Sequence, residues 1–184
     1  MNLPNALTTV RVGVVPLVMY LVLSDRPSAL LWATAVFTAA ALTDLLDGYL
    51  ARRWGQVTTF GKVIDPLADK LLVLGALLAL LPLGRVSPWL AFLLLGREFA
   101  VTTMRVLAAA EGRAVSARSL GKQKTIVQMV GIGALILHRV VELGPLRIDA
   151  HYWGTWVLWV GVALGLVSGF DYARAFLAPP SPAR

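Results

Sequence analysis

Four aspartates lie close together in a chain that is otherwise poor in acids. The 184 residues include only ten Asp and Glu, and the group comprises Asp44, Asp47, Asp65 and Asp69. The members of the first pair are three residues apart and those of the second pair four, so each pair falls on one face of a helix. Two antiparallel helices joined by residues 52–62 would therefore form a cluster of four carboxylates.

Carboxylate clusters of this kind are suited to hard divalent cations. The chain has no Cys and two His, which excludes thiolate sites and leaves little room for a zinc site or a His-based triad. Oxygen ligands favour Mg²⁺, Mn²⁺ or Ca²⁺, and two such ions could serve phosphoryl chemistry. Two alternatives remain, namely helix caps or ion-paired loop residues, and the ion path of a cation transporter.

The elements that must position these acids are apolar helices. Apolar residues make up 58% of the chain and charged residues 15%, against about 45–50% and 25% in soluble domains, which excludes an ordinary soluble globule. Six apolar stretches are long enough to cross a membrane. They cover approximately residues 8–23, 29–50, 64–81, 89–110, 124–141 and 152–177. We predict an all-α integral membrane protein with six transmembrane helices. One domain covers residues 1–178, and a disordered tail covers 179–184.

The distribution of basic residues predicts the orientation of these helices. Thirteen Lys and Arg fall on one side, and four, Arg26, Arg85, Arg139 and Arg147, fall on the other. The side rich in basic residues should be cytoplasmic, so both termini and the acidic cluster should face the cytoplasm. In so apolar a chain, the net charge of +7 indicates an anionic membrane surface or substrate rather than nucleic acid.

Small and basic residues accompany the aspartates. Gly48 and Ala51 fall on nearly the same helix side as the first aspartate pair, and Gly61 precedes Asp65 by four residues. Small side chains let a flat group approach the backbone, and Arg52 could bind a phosphate bidentately. Tight helix packing is the alternative explanation for each small residue.

The combined motif resembles a known family. Residues 44–69 follow the pattern D-x2-D-G-x2-A-R-x8-G-x3-D-x3-D. This pattern is similar to the signature of the CDP-alcohol phosphotransferase family, with every fixed position present. Looser motifs at residues 2–8, 97–99 and 121–125 extend the resemblance over most of the chain. They resemble the branch of the family that uses glycerol 3-phosphate.

The resemblance implies a fold, a reaction and a set of site residues. It implies a homodimer in the bacterial cytoplasmic membrane, with six transmembrane helices and a polar cavity facing the cytoplasm. The reaction would transfer the phosphatidyl group of CDP-diacylglycerol, a membrane lipid, to an alcohol, with release of CMP. Two divalent cations, Mg²⁺ or Mn²⁺, would be held by Asp44, Asp47, Asp65 and Asp69, and Asp69 would also be the general base. The CDP site would be lined by Gly48, Ala51, Arg52 and Gly61.

Basic residues around the connection between the fourth and fifth stretches indicate the acceptor. The cluster comprises Arg105, Arg113, Arg118, Lys122 and Lys124, with Glu111 the only acid among them. An anion pocket there would favour a phosphorylated acceptor such as glycerol 3-phosphate or inositol phosphate and would repel choline. We predict phosphate contacts from Arg105, Arg118 and Lys122, followed by Lys124. For any single residue, the positive-inside bias is the alternative explanation.

Three hypotheses follow from the sequence. The first is a phosphatidyltransferase with glycerol 3-phosphate as acceptor and inositol phosphate as the alternative. The second is a cation transporter, which should have acids distributed across the membrane depth rather than at one end. The third is a structural membrane subunit, in which the aspartates would be dispensable for lipid synthesis.

Overall fold

The chain forms a helical bundle with one β-hairpin. The computed structural model describes residues 3–54, 59–111, 120–143 and 146–177. Over these ranges the order of elements is α1 (Leu3–Leu23), α2 (Pro27–Trp54), α3 (Thr59–Leu80), α4 (Pro88–Ala110), α5 (Leu120–Leu137), β1 (Val140–Leu143), β2 (Leu146–Asp149) and α6 (Ala150–Leu177). Residues 179–184, for which a disordered tail is predicted, lie outside these ranges.

The six predicted apolar stretches all coincide with helices, but several helices extend further. Helix α2 continues to Trp54 instead of ending near residue 50, and α3 begins at Thr59 instead of residue 64. Hydropathy marks only the apolar part of a helix, whereas good helix formers such as Ala51 and Arg52 continue the backbone hydrogen bonding beyond it. As a result, Arg52 and Gly61 lie on helices rather than in a long connection.

The prediction that the fifth apolar stretch is helical to residue 141 is wrong, because β1 begins at Val140. Helix α5 ends at Leu137, and strands β1 and β2 pair antiparallel with Val141 opposite Ile148 and Glu142 opposite Arg147. The β-branched residues Val140, Val141 and Ile148 favour strands, and an apolar window does not distinguish them from helix. Asp149, the last residue of β2, caps α6, because its Oδ1 accepts hydrogen bonds from two backbone N–H groups of the first helical turn.

The surface of the bundle is apolar and its interior contains charge. Trp32 and Phe92 are each 65% exposed and Phe170 is 72% exposed, whereas Arg11 and Lys124 are buried. This distribution is the reverse of that in a soluble protein and fits a bundle surrounded by lipid. Helix α6, with 28 residues, is long and apolar enough to cross a membrane. Shorter apolar stretches occupy Thr9–Leu23, Pro27–Thr43, Lys70–Leu80 and Gln123–Leu137.

Helices α2, α3 and α5 each pack on three other helices. These three pack on one another, α1 packs on α2 and α3, and α6 packs on α4 and α5. The core between them includes Phe37, Leu77, Ile132 and Leu158, all almost fully buried. The same helices carry the predicted site residues, so this packing decides which of them can act together.

Candidate active site

The four aspartates fall at matching depths on consecutive helices. Asp44 and Asp47 belong to α2, and Asp65 and Asp69 belong to α3. With a rise of 1.5 Å per residue, the first pair lies about 10–15 Å before the end of α2. The second pair lies about 9–15 Å after the start of α3. Their side chains are outside the part of the chain that the structure describes in detail, so the cluster itself stays a prediction.

The donor chemistry of this group fits hard divalent cations. Four carboxylates supply only oxygen ligands, which suits Mg²⁺ or Mn²⁺. Elsewhere, among the side chains that the structure describes, no group of three or more His, Asp and Glu could hold a metal ion. The aspartates of α2 and α3 are therefore the candidate donor set.

The predicted CDP-binding residues are also on these two helices. Gly48, Ala51 and Arg52 belong to α2 and Gly61 belongs to α3, and their side chains likewise fall outside the detailed description. Three of them lie four residues from an aspartate on the same helix. A spacing of four residues puts them on the aspartate faces, one turn away.

The predicted acceptor-phosphate residues differ from one another in their surroundings. Arg105 is exposed on α4, with its guanidinium carbon 5.9 Å from the ring centroid of Tyr172 on α6, within the range of a cation–π contact. Lys124 on α5 is only 5% exposed and forms an ion pair with Glu98 of α4. Lys122 is on α5 with its side chain outside the described set, and Arg118 lies outside the described residues.

Glu98 and Arg97, to which the sequence assigned no role, form a junction of three helices. Glu98 Oε1 accepts from Arg97 Nη1 at 3.0 Å and from Lys124 Nζ. The remaining Arg97 nitrogens reach α6, where Nε donates to the Gly165 carbonyl at 2.8 Å and Nη2 donates to Ser168 Oγ at 3.1 Å. Charged groups in a membrane protein need such partners, so this network joins α4, α5 and α6.

A narrow cleft opens beside this junction, between α3, α4 and α5, and most of its lining surface is apolar. Its polar lining residues are Lys70, Glu98, Lys124, Thr125 and Gln128. Lys70 follows Asp69 in the chain, and its Nζ donates to Thr102 Oγ1 at 2.5 Å. Gln128 has no role predicted from the sequence, although an amide inside an apolar span is itself an indication of function.

Comparison with known proteins matches most of the chain. The family model for CDP-alcohol phosphatidyltransferases matches residues 1–167. The chain is 38% identical to the CDP-diacylglycerol–glycerol-3-phosphate 3-phosphatidyltransferase of Bacillus subtilis over 93% of each protein. The proteins of the same name from Rickettsia bellii and Cereibacter sphaeroides are 35% and 34% identical, over 94% or more of each chain.

Proposed function

Because the chain belongs to the CDP-alcohol phosphatidyltransferase family, we propose that it transfers the phosphatidyl group of CDP-diacylglycerol to glycerol 3-phosphate. The products are phosphatidylglycerophosphate and CMP. The observation that supports this proposal most strongly is the similarity to CDP-diacylglycerol–glycerol-3-phosphate 3-phosphatidyltransferases, which extends over nearly the full length of both chains. The signature from Asp44 to Asp69 supports the same reaction.

The proposed setting is the bacterial cytoplasmic membrane. Two copies of the chain form a homodimer, and all six helices of each copy cross the membrane. Both termini and the aspartate cluster are on the cytoplasmic side. The apolar outer surface of the bundle supports this placement, as does the positive-inside distribution of Lys and Arg. The acyl chains of CDP-diacylglycerol then remain in lipid while its pyrophosphate reaches the ends of α2 and α3.

The proposed chemistry is an in-line displacement at the lipid-side phosphorus. Asp44, Asp47, Asp65 and Asp69 would hold two divalent cations, which would supply positive charge to offset that of the pyrophosphate and of the departing CMP. The acceptor hydroxyl oxygen forms the new bond to phosphorus while the bond from phosphorus to the CMP oxygen breaks. Asp69 takes the hydroxyl proton.

The remaining site residues hold the two substrates. The small residues Gly48, Ala51 and Gly61 leave space for CDP, and Arg52 pairs with its phosphates. The acceptor phosphate contacts the second group of basic residues, which comprises Arg105, Arg118, Lys122 and Lys124. Because the charge of Lys124 is offset by Glu98, we expect Arg118 and Lys122 to contribute most to phosphate affinity.

An acceptor screen tests the reaction. The purified protein is incubated with CDP-diacylglycerol and Mg²⁺, with glycerol 3-phosphate, inositol phosphate or no acceptor, and CMP and lipid products are measured. We expect CMP release and phosphatidylglycerophosphate with glycerol 3-phosphate only. Product with inositol phosphate alone would favour the inositol-phosphate alternative, and metal-dependent cation flux without CMP release would favour a transporter.

Substitution of one aspartate tests the proposed metal site. We expect Asp65→Ala to lower kcat more than about 100-fold and to abolish the response of the rate to added Mg²⁺ or Mn²⁺. Loss of a residue that only hydrogen-bonds to a metal ligand lowers metal affinity or activity about 10–100-fold. Loss of the ligand itself should have a larger effect. Asp149→Asn, which keeps a side-chain cap acceptor for α6, is the control and should retain wild-type activity. Full activity of Asp65→Ala in chelator would contradict the proposal.

A further inference from the structure

A second group of charged and titratable side chains lies at the end of the bundle away from the aspartates. This histidine cluster comprises Asp25, Arg85, His138, Asp149 and His151. Its members come from the turn after α1, the turn after α3, the residue after α5, strand β2 and the first turn of α6. The chain has two His, so all of its imidazoles belong to this cluster, and the proposed reaction uses none of them.

The backbone that carries the cluster is held in an unfavourable conformation. Asp25 and His138 have φ angles of 52° and 44°, and within the described residues they are the positive-φ residues other than Gly. Gly84, with a φ of 65°, directly precedes Arg85. A left-handed residue other than Gly persists only where the surrounding structure fixes it, and such residues concentrate at functional and switch positions. Three chain turns therefore converge on one cluster at a cost in backbone strain.

The two imidazoles of the cluster contact each other edge to face. The ring centroids of His138 and His151 are 4.8 Å apart, with an angle of 82° between the rings. His151 Nδ1 is buried and has no hydrogen-bond partner among the residues that the structure describes. A neutral imidazole carries a proton on one nitrogen, whereas an imidazolium carries one on each. Protonating both rings would place two cations in contact and leave a buried N–H group of His151 unpaired.

Arg85 adds a permanent positive charge to this pair. Its side chain is only 7% exposed, and Nη2 pairs with Asp25. Nη1 is buried without a hydrogen-bond partner in the described part of the chain. Partial burial lowers the pKa of His138, and the positive charges of Arg85 and His151 lower it further. A proton on His138 would therefore add charge where a buried cation already lies.

The two carboxylates of the cluster oppose this effect without cancelling it. Asp25 and Asp149 favour the protonated form of His138. Asp25 is already paired with Arg85, however, and Asp149 Oδ1 already accepts two backbone N–H groups of α6. The other charged residues at this end are exposed, and they are Arg26, Arg139, Glu142 and Arg147.

We propose that the histidine cluster is an acid-sensitive latch between the hairpin, the start of α6 and the turns after α1 and α3. Neutral imidazoles keep this junction closed, and protonated imidazoles open it. The latch responds to the pH of the compartment that this end of the bundle faces. It is independent of the reaction proposed for the aspartate end, so either proposal can fail without the other.

The sign of the pH effect follows from where protons bind. Above about pH 6.5, imidazoles are neutral in the folded and the unfolded chain, so the cluster does not make stability depend on pH. Below that pH, the unfolded chain binds protons that the closed cluster resists, so stability falls as the pH falls. Carboxylates with ordinary pKa values stay largely ionised down to about pH 5.5, which leaves the two imidazoles as the groups that titrate in this window.

Thermal unfolding in detergent at pH 7.5 and pH 5.5 tests the latch. We expect the unfolding temperature of the wild type to fall by about 2–4 °C between the two values. The double variant His138→Asn/His151→Gln carries no imidazole, and Asn tolerates the left-handed backbone of position 138. Its unfolding temperature should change by less than about 1 °C over the same interval.

A cysteine placed beside Arg85 tests whether the junction itself opens. Val86 is only 5% exposed, so Val86→Cys should react slowly with a thiol reagent when the latch is closed. Glu142→Cys, on the exposed hairpin, is the control, because the ratio of the two rates cancels the effect of pH on the thiol itself. When reclosing is fast, the labelling rate follows the population of the open form. We expect the ratio to rise at least about threefold from pH 7.5 to pH 5.5, and to stay constant when both His are also replaced.

Two results would overturn the proposal. One is the same pH dependence of the unfolding temperature in the wild type and in the double variant, since the imidazoles would then not be its source. The other is a labelling ratio that does not change with pH, since the junction would then stay closed. The labelling comparison needs no substitution of His, so it decides the matter if the double variant does not fold.

Discussion

At the scale of single residues, the central feature is a buried ammonium that pairs with a carboxylate. Lys124 is 5% exposed and pairs with Glu98, which also binds Arg97. Removing one partner of such a pair leaves an uncompensated charge, whereas an exposed pair contributes little because water solvates each partner. The chain offers both cases, since Glu142 and Arg147 of the hairpin pair at 3.1 Å with side chains 65% and 74% exposed.

We expect Glu98→Gln to lower the free energy of unfolding by roughly 2–3 kcal/mol, because Lys124 and Arg97 lose their counterion. This cost is at or below the lower end of the range measured for breaking a buried ion pair, because the Glu98 side chain is 23% exposed. Glu142→Gln should cost less than about 1 kcal/mol. Thermal unfolding of both variants in the same detergent measures the difference.

The double variant Glu98→Gln/Lys124→Met should recover part of the lost stability, because it removes the Lys124 ammonium together with the carboxylate that it pairs with. Equal effects of Glu98→Gln and Glu142→Gln, or no recovery in the double variant, would contradict the role of this ion pair.

At the scale of elements, the closest helix–helix approach described by the glycines is between α5 and α6. Gly131 and Gly154 lie at their contact, and a Cβ added at Gly154 would be 2.8 Å from the Cβ of Ala134 and 3.1 Å from the Gly131 carbonyl oxygen. Real Cβ atoms do not approach that closely, so any larger residue must separate the helices. Small residues allow this close approach in membrane bundles.

Gly154→Ala should therefore destabilise the protein by about 1–3 kcal/mol, since the added methyl group meets backbone that cannot move aside. Gly133→Ala is the matched control on α5, because a Cβ there meets nothing within 4 Å. It should leave stability unchanged or raise it by up to about 1 kcal/mol through helix propensity. Unfolding temperatures compare the two, and equal destabilisation by both would refute the packing argument.

At the scale of the whole molecule, the bundle has two chemically different ends. The aspartates lie toward the end at which α2 finishes and α3 begins, and strands β1 and β2 lie at the other end, between α5 and α6. At the hairpin end, the buried Arg85 pairs with Asp25, which joins the turn between α3 and α4 to the turn between α1 and α2. The proposed orientation places this second end outside the cytoplasm.

Single cysteines test that orientation, because the natural chain has no Cys. We expect Glu142→Cys, on the exposed hairpin, to react with a membrane-impermeant thiol reagent added to intact cells. Glu111→Cys, at the exposed end of α4, should react only after the membrane is opened. CMP release should stay at the wild-type level in both variants. The opposite labelling pattern would reverse the proposed topology.

Local patterns predicted much of this organisation, and their failures have physical reasons. Hydropathy located the six helices of the described residues, since the apolar character of each segment is a local property. It missed the hairpin because Val140, Val141 and Ile148 are apolar whether they form helix or strand. It also ended α2 too early and began α3 too late, because backbone hydrogen bonding continues beyond the apolar stretch.

The sequence alone determined the number of helices, the family and the residue types available for chemistry, because hydropathy and the spacing from Asp44 to Asp69 are local properties of the chain. The tertiary structure alone decided that Lys124 pairs with Glu98 and that Gln128 lines the cleft between α3, α4 and α5. Those contacts join residues on different helices, and they exist only once α3, α4, α5 and α6 have packed.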